Sequence, residues 1–321
     1  MLKQAPYTVP ESKRIRVIID TDTGCEAEDH FAIAQALMTP KFDVRAVCPE
    51  HYGTRFGLHT QEDSYREAEK VVSLMGLKGQ VRICRGCDPF SADGSFTPSE
   101  ASDFIVEEAL RDDERPLYIV ILGAVTNVAA AFLQEPSIQS RVLLVGGRIP
   151  DGNWYFNSCN DYLAYNVLLD SAAEWWTVDM PEGTGFQASM MTLYRELSQL
   201  GALGEYLYER VQFSAHELTR RIADDAKAGR MGAGMSKAAF AAFLPAGETW
   251  AFWDCASVGL AMYDHMHSYT DRPAPLLLDA SGRTLARPGN PRTVRSYALL
   301  DSPLIMEDLY AKLRYYFGDA T

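Results

Sequence analysis

The chain has 321 residues, 47% of them hydrophobic and 23% charged, which is ordinary globular usage and enough length to bury a large core. Thirty Lys and Arg stand against 43 Asp and Glu, a net charge of -13 with no local basic block, so nucleic acid and anionic membrane are poor partners. The start MLKQAPYTVPESKR lacks the apolar core of a signal peptide, and no stretch approaches the roughly 18 apolar residues of a membrane span, which points to a soluble, cytoplasmic protein.

In chain order, Arg16 to Asp20 (RVIID) predicts a strand, and Phe31 to Met38 a helix that Pro40 stops. A strand near Val44 to Cys48 follows, then a helix from about Ser64 to Met75 ended by Gly76, a strand at Val81 to Cys84, and a helix opened by Ser99. Leu117 to Leu122 and Val142 to Val145 are continuous apolar runs, the pattern of strands covered on both faces, with a helix from Thr126 to Leu133 between them. Strands alternating with helices predict an α/β fold with a mainly parallel open sheet flanked by helices.

From about Ser189 to residue 247 the chain reads as a helical insertion, and its Gly-rich loop from Lys227 to Lys237 as a lid. A helix from about Ala251 to Asp264, strands at Pro275 to Asp279 and Thr293 to Leu299, and a helix from Pro303 to Phe317 complete one domain over residues 1–321. The six cysteines are scattered in apolar contexts, which predicts reduced thiols. Cys84-Arg-Gly-Cys87 has no second half-site, so it reads as a strand-end turn and not a zinc site.

Ligands of such sheets bind beyond the carboxyl ends of the strands. Asp20-Thr-Asp-Thr-Gly-Cys-Glu-Ala-Glu-Asp29 places five carboxylates there. A helix dipole accounts for some of them, but Asp20 and Asp22 finish an apolar strand, and converging carboxylates repel unless a cation neutralises them. A hard divalent ion with oxygen ligands resolves the conflict. A second motif, Leu122-Gly-Ala-Val-Thr126-Asn127, follows a buried strand, where a helix cap competes with a binding role. A third, Phe252-Trp253-Asp254-Cys255, sets an acid at the front of an apolar helix, costly if it were buried unpaired.

Together these elements resemble the nucleoside hydrolase family, whose members cleave N-glycosidic bonds of ribonucleosides. The likeness is closest to the branch with a longer TDxGxExxDxFA loop, here Asp22, Gly24, Glu28, Asp29 and Ala32. Ser64-Tyr-Arg-Glu-Ala-Glu-Lys-Val-Val, Leu122 to Ala129, Val145-Gly-Gly, Phe156-Asn157 followed by Asp161, and Trp253-Asp254 extend it over most of the chain. The resemblance implies Ca²⁺ held by Asp22, Asp29, the carbonyl of Thr126 and Asp254, with Asp22 also deprotonating the attacking water. It implies sugar contacts from Glu28, Asn157 and Asn153, with Glu50 or His51 near where the family places an amide, and a homodimer or homotetramer acting on a small nucleoside-like substrate.

Three departures stand out. Tyr155 occupies the place of a family acid, Glu28 that of an aspartate, and Trp253 that of the histidine which acts on the leaving base in purine- and inosine-cleaving relatives. Leaving-group activation must then come from elsewhere, with His30, His51, His59 and His216 as possible acids. Trp154, Tyr155, Trp175, Trp176, Tyr206, Tyr208 and Trp253 could supply a stacking pocket, with about half of them core. Two other readings remain: a haloacid-dehalogenase-type Mg²⁺ phosphatase, from the resemblance of RVIID-Thr-Asp-Thr to a DxDxT strand end, with Asp20 as nucleophile and Asp22 as acid; and a non-catalytic sugar-binding relative.

Overall fold

The structure, a computed structural model, describes residues 2–54, 57–152, 155–179, 185–218, 220, 247–263 and 268–318. The strands in chain order are β1 (Ile15–Thr21), β2 (Phe42–Pro49), β3 (Leu117–Ile121), β4 (Val142–Gly146), β5 (Glu174–Val178), β6 (Gln187–Ser189), β7 (Thr249–Ala251), β8 (Thr270–Pro273), β9 (Leu276–Leu277), β10 (Thr284–Leu285) and β11 (Thr293–Tyr297). Seven of them form one open sheet in the order β2-β1-β3-β4-β5-β11-β8. All its neighbours run parallel except β8, which lies antiparallel on β11 at one edge.

The apolar runs explain this layering. All seven residues of β1 are buried, and alternation sends Val17 and Ile19 into one core and Ile18 into the other. One core takes up α1 (Glu28–Leu37), α2 (Thr60–Leu74), α7 (Met190–Leu197), α8 (Gly201–Phe213), α9 (Trp253–Met262) and α10 (Ser302–Phe317). The other takes up α3 (Glu100–Leu110), α4 (Thr126–Gln134) and α6 (Tyr162–Asp170), with the single-turn α5 (Phe156–Asn160) leading into α6. Among the described residues no helix is long and apolar enough to cross a membrane. All six cysteines are free.

The expected α/β fold with a mainly parallel open sheet is what the structure shows. Several elements differ locally. Val81 to Cys84 forms only a single bridge, Ile83 to Val47, because the chain turns at Arg85-Gly86 to follow Asn127. The strand expected at Pro275 to Asp279 shrinks to Leu276–Leu277 and pairs with Thr284–Leu285 outside the main sheet. Strand β5, Glu-Trp-Trp-Thr-Val, was not anticipated; it puts Trp175 and Trp176 into the sheet core, with the Trp175 indole donating to Gly146 O at 2.8 Å. The proposed lid at 227–237 lies outside the described residues.

Gly146 ends β4 beside the mouth of the sheet with φ 115, and a Cβ there would stand 2.2 Å from Ile121 O and 2.7 Å from Ser257 Oγ. Gly146→Ala is therefore expected to lower stability by about 1–3 kcal/mol through overpacking and backbone strain, read as a fall in the thermal midpoint.

Candidate active site

Strand β1 stops at Thr21, and Asp22 begins a turn closed by Cys25 N–H donating to Asp22 O at 2.8 Å. Helix α1 then opens on Glu28 and Asp29, so the acids of the turn fold back over the strand end; Asp22, Glu28 and Asp29 are all buried. Thr21 Oγ1 donates to Asp29 Oδ1 at 2.5 Å. Helix α9, packed beside α1 on the same face of the sheet, brings Asp254 in its first turn close enough to Asp29 for each carboxyl to act on the other.

Burial is the main force on all of these groups; mutual repulsion comes next for Asp22, Glu28 and Asp254, while for Asp29 hydrogen bonding, first from Thr21, opposes the rise. Asp22 is pushed well above the usual carboxylate range by burial and by the charges of Asp29 and Glu26. Burial raises Asp29 to about 7. Asp254 is raised by burial, Asp29, Glu28 and Asp22, and Glu28 by burial, Glu26 and Asp29. Among the described residues no Lys or Arg forms an ion pair with Asp22, Asp29 or Asp254. Among the same residues no three His, Cys, Asp or Glu side chains already form a metal-binding group. An all-oxygen donor set with converging negative charge and no internal cation is nevertheless one that a hard divalent ion satisfies.

The turn from β3 to α4 presses on this cluster. A Cβ on Gly123 would stand 3.1 Å from Asp22 N and 3.3 Å from Glu50 Oε2. Val125 has φ 67, the only positive φ of a non-glycine among the described residues, a strained position for a β-branched side chain that the surroundings must hold. They do so through Thr126 and Asn127, neither of which caps the helix. Thr126 Oγ1 donates to Asp161 Oδ2 at 2.9 Å and meets His51 Nε2 at 2.8 Å. Asn127 donates from Nδ2 to Asp20 Oδ1 at 2.9 Å and from its backbone N–H to Glu50 Oε1 at 2.8 Å, and accepts from Cys87 N–H at 2.7 Å. The Cys84–Cys87 segment is thus the expected turn, docked on Asn127.

Asn127→Ala would strand several of these buried partners. It is expected to cost about 2 kcal/mol or more, read as a lower denaturant midpoint.

The placement of Thr126 bears on which carbonyl could face the cluster. It is the first residue of α4, where a main-chain carbonyl is taken up by the N–H four residues on, so its carbonyl runs down the helix. The carbonyl that leaves the end of β3 is that of Leu122, which accepts from Asn157 Nδ2 at 2.8 Å. Asn157 also donates to the Tyr155 hydroxyl at 3.3 Å; burial raises that phenol's pKa, with the Arg148 charge opposing and the Asp254 and Asp22 charges adding to the rise.

Other predicted residues are placed as follows. His51 is buried, accepts from Gly53 N–H at Nδ1 and faces Thr126 with Nε2, and burial lowers it to about 4. Trp253 is the partly buried first residue of α9, beside Asp254. Asn153 and Trp154 lie outside the described residues. His30 is buried against Glu67 at 3.0 Å, while His59 and His216 are exposed. Tyr206 and Tyr208 lie on α8.

Sequence reasoning missed Trp250, whose Nε1 donates to Glu28 Oε2 at 3.2 Å, and the approach of the buried carboxyls of Asp20 and Glu50, whose Oδ2 and Oε2 have no hydrogen-bond partner. Burial raises Asp20 to about 6, and burial with the Asp20 charge raises Glu50 well above its usual range. No spacing rule signals either contact, since the partners are far apart in the chain.

The comparisons with known proteins agree with this geometry. A family model for the inosine-uridine preferring nucleoside hydrolases matches residues 17–284. The pyrimidine-specific ribonucleoside hydrolase RihA of Escherichia coli O1:K1 is 26% identical over 181 residues, 49% of this chain and 54% of RihA, so the chain spans about half the length of the curated relatives it matches. Among solved structures, the plant nucleoside hydrolase PpNRh1 superposes with TM-score 0.68 and 19% identity, covering 93% of this chain and 98% of its own. The purine-preferring ribonucleoside hydrolase from Gardnerella vaginalis gives 0.69 and 18%, covering 95% and 100%. At such identities the structures speak for the fold, while the family model reaches from β1 to β10 and includes the acidic turn, the β3–α4 turn and Asp254. The chain belongs to the inosine-uridine preferring nucleoside hydrolase family.

Proposed function

We propose that the protein is a Ca²⁺-dependent hydrolase that cleaves the N-glycosidic bond of a ribonucleoside or nucleoside-like compound. The observation that carries this is the convergence of Asp22 and Asp29, from the β1–α1 turn, with Asp254 of the distant α9 into one largely buried cluster that no Lys or Arg among the described residues pairs with. These carboxylates, with a main-chain carbonyl of the β3–α4 turn, would hold calcium; the Leu122 carbonyl is the better placed of the two considered. Bound calcium would supply the positive charge that lowers the pKa of a neighbouring water and orients sugar hydroxyls.

The protein's own groups do the rest. Asp22 takes the proton of the attacking water, and a carboxylate held raised by its surroundings is suited to that work near neutral pH. Glu28 and Asn157 bind sugar hydroxyls, Tyr155 stands in for the family acid, and Trp253 offers a stacking face to the base. The surrounding negative charge favours the oxocarbenium-like sugar as the bond breaks. His51, with both ring nitrogens engaged inside the protein, acts from behind Thr126.

The phosphatase reading requires Asp20 as nucleophile, yet Asp20 is wholly buried, with Oδ1 taken by Asn127 and the buried Glu50 carboxyl beside it. A panel of purine, pyrimidine and modified nucleosides with calcium should give free base and free sugar in equal amounts from at least one member, and none once calcium is chelated. Phosphate release from a phosphomonoester without nucleoside cleavage would favour the phosphatase; binding without turnover would favour the sugar-binding relative.

A further inference from the structure

We infer that Trp250 is a positioning residue for Glu28, and that the two form a matched pair setting which sugar hydroxyl the site reads. This rests on the hydrolase reading above and goes beyond it to a residue that does not itself touch substrate.

Trp250 lies on β7, anchored in a short antiparallel pair where Ala188 faces Trp250, with Phe252 N–H donating to Phe186 O at 2.7 Å just beyond it. Its side chain is 4% exposed, so its indole N–H has no access to water and needs a partner inside the protein. That partner is Glu28 Oε2, at 3.2 Å. Glu28 is 3% exposed and opens α1 beside Asp29.

An indole N–H donates in one direction only, and donation to a carboxylate is a strong, oriented contact. Trp250 therefore fixes the rotation of the Glu28 carboxyl and leaves Oε1 as the oxygen turned to other partners. The extra methylene of Glu28, relative to the aspartate that the family resemblance implies there, extends the reach of its carboxyl toward this indole. The bland alternative is that Trp250 fills the core and its N–H takes the nearest acceptor. That role would affect stability without altering discrimination between sugars.

The test is a double-mutant cycle. Trp250→Phe, which keeps a large ring and removes the N–H, Glu28→Ala, and the double variant are each assayed with ribo-, 2′-deoxy- and 3′-deoxynucleosides in the presence of calcium. Trp250→Phe is expected to lower kcat/KM about tenfold for substrates carrying the hydroxyl that Glu28→Ala also ceases to read, and less than threefold for the analogue lacking it. Added to Glu28→Ala it should change nothing further. An equal loss on every sugar, or an effect that multiplies independently with Glu28→Ala, overturns the inference while leaving the hydrolase reading intact. If the wild-type protein cleaves no nucleoside at all, the hydrolase reading fails and the inference falls with it. Should Trp250→Phe not fold, Trp250→His, which keeps a ring N–H, is read against Trp250→Leu by the same ratio of sugars; histidine must preserve the discrimination better than leucine, and the reverse order overturns the pairing.

Discussion

Asp22→Asn is expected to leave a folded, metal-free protein that resists heat better than the wild type and cleaves nucleosides about 10³-fold more slowly or not at all. The two halves of this result have one origin. Asp22 is buried within reach of the charges of Asp29, Glu26 and Asp20, which together with burial hold its carboxyl well above the usual range. Replacing it by the isosteric amide removes a repulsion that the fold tolerates only for function, a gain of about 1 kcal/mol of the kind that active-site substitutions yield. The same change removes a general base, worth 10²–10⁴-fold, and one calcium donor. Thermal midpoints in a chelator, compared with initial rates in calcium, separate the two; a destabilised Asp22→Asn would show that the carboxylate is satisfied by something internal.

The second large effect is a calcium-dependent reversal of pH stability. Asp29 is raised to about 7 and Asp20 to about 6, both chiefly by burial, and Asp22, Glu28, Glu50 and Asp254 are also raised. The folded protein therefore keeps these protons to higher pH than the unfolded chain does. Between about pH 4 and pH 7 the native state binds more protons, so the stability of the metal-free protein is greatest at the acid side of that window and is lost as pH rises through it. Asp29 alone accounts for a change on the order of 4 kcal/mol across the window. Calcium requires the deprotonated carboxylates, so its stabilisation grows over the same range, reaching about 2.7 kcal/mol at a concentration a hundredfold above its Kd. Denaturant midpoints at pH 5 and pH 8, with calcium and with chelator, give the four values needed; a metal-free protein steadily more stable from pH 4 to pH 7 would contradict the account.

The centre of the sheet was legible because β1, β3 and β4 are continuous apolar runs, which few other structures use. Strand β5 was hidden by its own chemistry. Glu-Trp-Trp-Thr-Val begins exposed and carries two indoles that resemble pocket material, although Trp175 is fully buried against Gly146 and Trp176 packs edge-on to Tyr118. The edge strand β8 is short and largely exposed, and β9 is only two residues long outside the main sheet, so neither run length nor alternation marks them.

In the site, the acids were legible as an excess of charge after a strand, and the structure brings Asp22, Asp29 and Asp254 together. Thr126 stood out as a residue type in the right motif, but the direction of a main-chain carbonyl depends on where the helix starts, which sequence locates only to within a few residues. The structure starts α4 at Thr126 itself and turns attention to Leu122, an apolar residue whose side chain gives no hint that its carbonyl faces Asn157. Trp250 escaped for a similar reason: its indole N–H matters only because β7 carries it to Glu28, a contact spanning more than two hundred positions.

The central claim is that the acidic cluster serves water attack on a glycosidic carbon. The most direct measurement is release of reducing sugar from the nucleoside panel in calcium, with wild-type protein and Asp22→Ala side by side at equal folded concentration. The account predicts sugar release by the wild type from at least one nucleoside and none above background from Asp22→Ala. Equal release by the two proteins, or none by either across the panel, would contradict it.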